Sequence, residues 1–279
     1  MRILFLESIH GRHNELKYAS CVAKEYAEEL RRKGHEVKEV LMPTPEKANK
    51  IIKEFNPDII WFVGHGYSDR ATLEKLQLWI KDDMPLDQLK GRIVVAHSCL
   101  TGIKLGKVAV QKGAKAYFGF TSEMYFHWCG PDFDCACVGK NNYGVRPIIW
   151  VELVKDVHRP PLEFLKAVAE GKTPKEAFEH SLKVAEDLIR KVENIEPASS
   201  AEASVLKITE WILKSNRTNQ VLYVGRLTAG GEGSKGTPER QVETLSTKST
   251  KKAILFGFVL PFVIITAVAG WSEHAGSKI

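Results

Sequence analysis

The chain has 279 residues, of which 44% are hydrophobic, and it carries a formal net charge of +6. This length and composition suit one large α/β domain or two small ones. Basic residues are interspersed with Glu and Asp along the predicted helices and form no basic block interleaved with aromatic residues, so we expect no nucleic-acid partner. Cysteines number five, and only about four apolar residues follow Met1-Arg2, so we predict neither a secreted disulfide framework nor a secretory signal.

Strands and amphipathic helices alternate along the first part of the chain. Strands are predicted at 2–7, 36–41 and 115–120, in addition to two apolar runs described below. Helices are predicted at 14–33, 45–55 and 102–112, and 67–90 is predicted to be a polar loop. Such alternation is typical of a doubly wound, mostly parallel sheet with helices on both faces. After an irregular stretch at 121–145, the pattern predicts helices at 146–157, 161–170, 174–194 and 200–215, then a short strand at 221–224.

The two remaining apolar runs end in residues that carry chemistry. The run from Ile93 to Ala96 stops shortly before Cys99, and the run at 58–66 ends in Gly-His-Gly, with His65 between the glycines. The carboxyl ends of parallel strands share one sheet edge, where ligands and catalytic groups collect. If the two strands are neighbours, Cys99 and His65 have the placement that a cysteine nucleophile and its base require. A helix beginning just after Cys99 would contribute N–H donors that favour a thiolate.

These motifs resemble those of a known peptidase family. Gly-His-Gly at 64–66 and Ser-Cys-Leu-Thr-Gly at 98–102 are similar to the strand ends of the caspase-like (clan CD) cysteine peptidases. The resemblance is closest to the gingipain-type and CHAT-type branch, because the Gln-Ala-Cys-x-Gly signature of caspases is absent. It extends over roughly residues 1–225, although its specific part is only about 15 residues, and it implies a caspase-like α/β domain.

The resemblance also implies roles for individual residues. Cys99 would be the nucleophile, His65 the general base and acid, and the backbone N–H groups of Gly66 and Cys99 the oxyanion hole. Relatives that select a basic side chain before the scissile bond do so with an acidic pocket. Asp132 and Asp134, in the irregular loop, are the nearest acidic candidates. A solvated loop is the alternative for both, and an inert core cysteine is the alternative for Cys99.

A second set of residues in that loop has the chemistry of a zinc site. Four soft ligands occur there, but their spacing departs from the usual zinc patterns, and disulfides or unpaired thiols are open alternatives. We therefore predict no metal and no other cofactor. The four are His127, Cys129, Cys135 and Cys137.

The C-terminal part changes character after residue 224. Residues 225–252 are rich in Gly, Ser, Thr and Lys and predict a flexible linker after a domain at 1–224. Residues 253–271 carry no charge, and as a helix they would span roughly 28 Å, about the thickness of a hydrocarbon core. They predict a transmembrane tail anchor followed by a short tail at 272–279. Lysines before the span predict a cytoplasmic domain.

Three classes of function follow from these observations. The first is a membrane-anchored cysteine endopeptidase acting on peptide or protein substrates, with a preference for basic residues. The second is a catalytically idle caspase-like scaffold or sensor on the membrane. The third is a flavodoxin-like ligand-binding domain, which the absence of a glycine-rich phosphate loop disfavours.

Overall fold

The computed structural model describes residues 1–9, 15–127, 145–227 and 240–247. Nine strands and seven α-helices lie in these residues. In chain order they are β1 (Arg2–Glu7), α1 (Glu15–Arg32), β2 (Glu36–Leu41), α2 (Pro45–Phe55), β3 (Ile59–Val63), β4 (Arg70–Thr72), β5 (Leu78–Lys81), β6 (Ile93–His97), α3 (Leu105–Gln111), β7 (Ala116–Phe120), α4 (Pro147–Asp156), α5 (Arg159–Ala169), α6 (Pro174–Glu193), α7 (Ser200–Thr218), β8 (Gln220–Leu227) and β9 (Arg240–Ser246).

Seven of the strands form one mostly parallel sheet. Its order is β2-β1-β3-β6-β7-β8-β9, and β4 and β5 form a separate antiparallel pair. The pairs from β2 through β7 are parallel, whereas β8 pairs antiparallel with both β7 and β9. The predicted doubly wound α/β arrangement is confirmed at this level. The polar residues that follow the carboxyl ends of the parallel strands therefore lie along the same edge of the sheet.

Burial on both faces explains the composition of the central strands. Every residue of β3, β6 and β7 is buried, and each reads as a continuous run dominated by apolar residues rather than as an alternation. One face packs against α1, α5 and α6 through residues such as Phe5, Trp61 and Phe118. The other packs against α2, α3 and the β4–β5 hairpin through residues such as Phe62, Trp79 and Tyr117. Polar side chains are thereby restricted largely to the strand ends.

A third apolar cluster joins helices of the C-terminal half. It brings together residues of α4, α6 and α7, among them Trp150, Ile189 and Leu213. The start of α6 is fixed by a capping box, in which Thr173 accepts from the Glu176 N–H and Glu176 accepts from the Thr173 N–H. These helices support the segment that passes beside Cys99.

The structure corrects several boundaries. Part of the predicted polar loop at 67–90 forms the β4–β5 hairpin, and α3 begins at Leu105 rather than at residue 102. Within the predicted flexible linker at 225–252, residues Arg240–Ser246 form β9 and pair with β8. Backbone pairing to β8 thus gives regular structure to a short sequence with few apolar side chains.

The predicted membrane span at 253–271 lies outside the described residues. Among the helices that are described, none is both long enough and apolar enough to cross a membrane.

Candidate functional site

Cys99 and His65 leave two adjacent strands at the same sheet edge. Strands β3 and β6 are parallel neighbours, with Ile59 opposite Ile93 and Val63 opposite His97. His65 and Cys99 each lie two residues beyond the last register pair, and both side chains are partly exposed. The sequence alone does not establish that these two strands are neighbours, and the structure shows that they are. A thiol and an imidazole thus leave the sheet from neighbouring positions on one edge.

The loop after His65 turns directly into the β4–β5 hairpin. Gly66 forms an antiparallel bridge with Ala71, flanked by the bonds Tyr67 N–H to Arg70 O (2.8 Å) and Thr72 N–H to His65 O (3.0 Å). In a bridge of this kind the central residue's own N–H points away from the partner strand. The Gly66 N–H therefore points away from the hairpin.

Gly66 also packs tightly against the loop that carries Cys99. A Cβ built on Gly66 would lie 2.2 Å from Ser98 Oγ and 2.4 Å from Cys99 O. No side chain fits there without moving backbone. This contact explains why a glycine follows His65, and it brings the Gly66 backbone next to Cys99.

The backbone after Cys99 makes a strained turn. Leu100 has a φ of 60°, and its N–H donates to Ser122 O at 3.0 Å. The N–H groups of Lys104 and Leu105, at the start of α3, donate to Ser68 O at 3.2 and 2.9 Å. These two N–H groups are therefore engaged by Ser68, and support of the Cys99 thiolate by the helix N-terminus stays a prediction. The predicted Thr-Gly helix start is a turn instead, because Gly102 N–H bonds back to Phe120 O at 2.8 Å.

A donor to Cys99 comes from the segment after β7. The backbone N–H of Met124 donates to Cys99 Sγ at 3.3 Å. A hydrogen bond donated to sulfur favours its charged form. The next residue, Tyr125, is clamped by the side-chain amide of Asn216, which accepts from its N–H (3.0 Å) and donates to its carbonyl (2.9 Å). Sequence reasoning missed both Met124 and Asn216, since neither belongs to a motif.

Beneath this segment lies a pair of buried histidines. His97 Nε2 and His158 Nδ1 are 3.2 Å apart, and the ring of Phe126 stacks on both imidazoles. Burial lowers the pKa of His97 to about 3 and lowers the pKa of His158 well below its ordinary value. His97 thus packs beneath the segment that follows β7. Neutral imidazoles here anchor the segment that reaches Cys99.

His127 is buried a short distance farther along the same segment. Its Nε2 lies 2.8 Å from Thr209 Oγ1, its ring centroid lies 5.2 Å from that of Trp150, and burial lowers its pKa to about 4. The described part of the chain contains no group of three or more metal ligands. The other residues of the zinc candidate and the acidic pair of the loop lie outside the described residues; they are Cys129, Asp132, Asp134, Cys135 and Cys137.

Glu7 is a further titratable group at this edge. It ends β1, opposite Val63 of β3, and its buried carboxylate accepts a hydrogen bond from the Ser20 hydroxyl. Burial raises the pKa of Glu7 to about 7, against the lowering effect of the Ser20 bond. In the sequence, Glu7 could have been recognised as a carboxylate directly after the apolar run from Ile3 to Leu6.

Comparison with models of known protein families and with characterised proteins finds no match to this chain.

The buried histidines predict a loss of stability in acid. Because their folded-state pKa values lie below the unfolded value of about 6.5, the unfolded chain binds more protons as pH falls below that value. For His127 the loss extends from about pH 6.5 down to its folded pKa of about 4 and amounts to about 3 kcal/mol. His127→Gln, which keeps a partner for Thr209, should flatten this dependence by about 1.4 kcal/mol per pH unit in that window.

Denaturant unfolding measured from pH 8 to pH 4 tests this. Above pH 7.5, imidazoles are neutral in both the folded and the unfolded state. The free energies of unfolding of wild type and His127→Gln should therefore depend on pH in the same way in that range. Equal slopes between pH 6 and pH 4 would show that His127 is charged in the folded protein.

Proposed function

We propose that the chain is a cysteine endopeptidase with Cys99 as nucleophile and His65 as its base. The observation that carries this proposal is the β3–β6 pairing, which sets His65 and Cys99 side by side beyond Val63 and His97. Three further features support it. They are the N–H of Met124 at the sulfur, the orientation of the Gly66 N–H away from the hairpin, and the fit of Gly66 against the Cys99 loop.

The chemistry follows from these positions. His65 accepts the thiol proton of Cys99, and the sulfur attacks the carbonyl carbon of the scissile bond, forming a C–S bond. The negative oxygen that results is stabilised by the N–H groups of Gly66 and Cys99. Collapse breaks the C–N bond, and His65 gives its proton to the leaving amine. Water then attacks the thioester with His65 as base, which releases the acid and restores the thiol.

Covalent labelling tests the dyad and separates it from an idle scaffold. A peptidyl acyloxymethyl ketone should label the full chain at Cys99, and Cys99→Ala should abolish the label. His65→Gln should slow both labelling and peptide cleavage by at least about 10²-fold, the usual contribution of a general base.

The matched control is His35→Gln. His35 lies just before β2, near the opposite edge of the sheet, where its Nδ1 approaches the N-terminal amine. This variant should react like the wild type. Equal labelling rates for His65→Gln and His35→Gln, or an unlabelled wild type, would contradict the peptidase proposal and favour the idle module.

We also propose a preference for a basic residue before the scissile bond. Asp132 and Asp134 remain candidates from the sequence, and the structure adds Glu123, next to the residue that bonds Cys99 Sγ. Burial raises the pKa of Tyr125, and the charges of Glu123 and Cys99 raise it further. The Tyr125 ring also contacts that of Trp211, which is 47% exposed, at 4.6 Å between centroids. A carboxylate beside aromatic faces suits a cationic side chain.

Matched substrates that differ only before the scissile bond test this preference. Wild type should cleave after Arg at least about 10-fold faster than after Leu, because a charged pair near the reacting bond is worth more than about 1.4 kcal/mol. Comparing Glu123→Gln with Asp132→Asn and Asp134→Asn identifies which carboxylate carries the preference. Equal cleavage after Arg, Leu and Asp would contradict it.

Membrane attachment through residues 253–271 is the remaining part of the proposal. The lysines at 248, 251 and 252 precede the apolar run, whereas Glu273 follows it, so the domain should face the cytoplasm. Because β9 belongs to the sheet, a truncation should retain it, and a stop after Lys252 does so.

The truncated chain should fractionate in the soluble phase and still label at Cys99, whereas the full chain should resist alkaline extraction from membranes. Added protease should not remove the domain from intact cells. A full chain that alkali extracts, or a domain that external protease cleaves, would contradict this part of the proposal.

A further inference from the structure

One buried hydrogen bond joins the two loops of the candidate site directly. The Ser98 hydroxyl donates to the Gly64 carbonyl at 2.9 Å, and Ser98 is only 2% exposed. Ser98 immediately precedes Cys99, and Gly64 immediately precedes His65. The bond therefore connects the residue before the nucleophile to the residue before the base, just past the last register pair of β3 and β6.

Further contacts hold the Ser98 backbone and the carbonyl of His65 in place. Thr101 Oγ1 donates to Ser98 O at 3.3 Å, which fixes the backbone of Ser98. The His65 carbonyl accepts from Thr72 twice, from its N–H at 3.0 Å and from its hydroxyl at 3.3 Å. Both carbonyls of the Gly64-His65 pair are thus held, one by Ser98 just after β6 and one by Thr72 from the hairpin.

We propose that Ser98, assisted by Thr72, is a positioning residue that sets His65 against Cys99 through the backbone. The proposal rests on the proposed function of the dyad. Ser98 itself touches neither reacting atom. It acts by holding the start of the His65 loop next to the residue that precedes Cys99. Its hydroxyl also fills the space that a side chain at position 66 would need.

The physical reason is the small tolerance of proton transfer for misplacement. Removing the hydroxyl leaves the buried Gly64 carbonyl without this donor and opens a gap under Gly66, so the His65 loop is free to shift. A shift of about 1 Å is enough to cost about 10²-fold in rate. Because the shift changes the nucleophile–base geometry and not the substrate contacts, it should lower kcat and leave KM nearly unchanged.

Ser181 provides a matched control within the same chain. It lies in α6 and is also fully buried, and its hydroxyl donates to the Pro160 carbonyl at 2.8 Å and lies 3.2 Å from Gln220 Oε1. Ser181→Ala and Ser98→Ala each remove one buried hydroxyl that donates to a backbone carbonyl, and Ser181 bonds neither Gly64 nor His65. Both should lower the melting temperature of the full chain by similar amounts.

The experiment compares these variants in two measurements on the full chain. One is the kcat and KM of a peptide that wild type cleaves, and the other is the rate at which iodoacetamide alkylates Cys99 from pH 5 to pH 9, read on the Cys99 peptide by mass spectrometry. Ser98→Ala should lose about 10²-fold in kcat, and its alkylation profile should shift to higher pH, because the thiolate loses its aligned imidazolium. Ser181→Ala should match wild type in both.

Each outcome decides the role of Ser98. If Ser98→Ala matches Ser181→Ala in kcat and in alkylation, the positioning role is wrong. If wild type cleaves no peptide, the peptidase proposal fails, but the alkylation profile still decides: an unchanged profile in Ser98→Ala overturns the positioning role. If Ser98→Ala does not fold, Thr72→Val replaces it in the experiment, since it removes only the hydroxyl bond to the His65 carbonyl and keeps the N–H bond. Thr72→Val should shift the alkylation profile in the same direction by a smaller amount. No shift would overturn the proposal.

Discussion

The parallel pairing of β3 with β6 is the constraint on which the candidate site depends. His65 and Cys99 are 34 positions apart in the chain, yet the register of five residue pairs leaves them at equivalent distances beyond two adjacent strands. The hydrogen bond from Ser98 to Gly64 extends that register by one step into the loops. Without the pairing, the hairpin after His65 and the turn after Cys99 would have no fixed relation.

The layered burial of the sheet explains why chemistry collects at this edge. Central strands covered on both faces have little room for unpaired polar groups, so polar side chains occur where strands end or where they find buried partners. Glu7 ends β1 and bonds to Ser20, while His97 and His158 share one hydrogen bond and stay neutral. The two histidines stack on Phe126, in the segment whose Met124 N–H reaches Cys99.

Much of the parallel core was predictable from the sequence, whereas the contacts that complete the site were not. Runs such as RILFLE and IIWFV are apolar enough to be read as buried strands, and Thr173 with Pro174 and Glu176 is a local signal for a helix start. Strand β9 carries few apolar residues and owes its order to β8, a partner the sequence does not reveal. The Met124 N–H on Cys99 and the Asn216 clamp join residues 25 and 91 positions apart, and the turn at Leu100 requires a backbone conformation that leucine rarely adopts.

A structure of a covalent adduct tests the central claim, that these two strand ends form one nucleophile–base pair. After reaction of the full chain with a peptidyl acyloxymethyl ketone, we expect a thioether between Cys99 Sγ and the methylene carbon of the inhibitor. The inhibitor's carbonyl oxygen should accept a hydrogen bond from the Gly66 N–H, and the His65 imidazole should lie against the same carbonyl carbon. An adduct on another residue, or a His65 ring directed away from the bound inhibitor, would contradict the account.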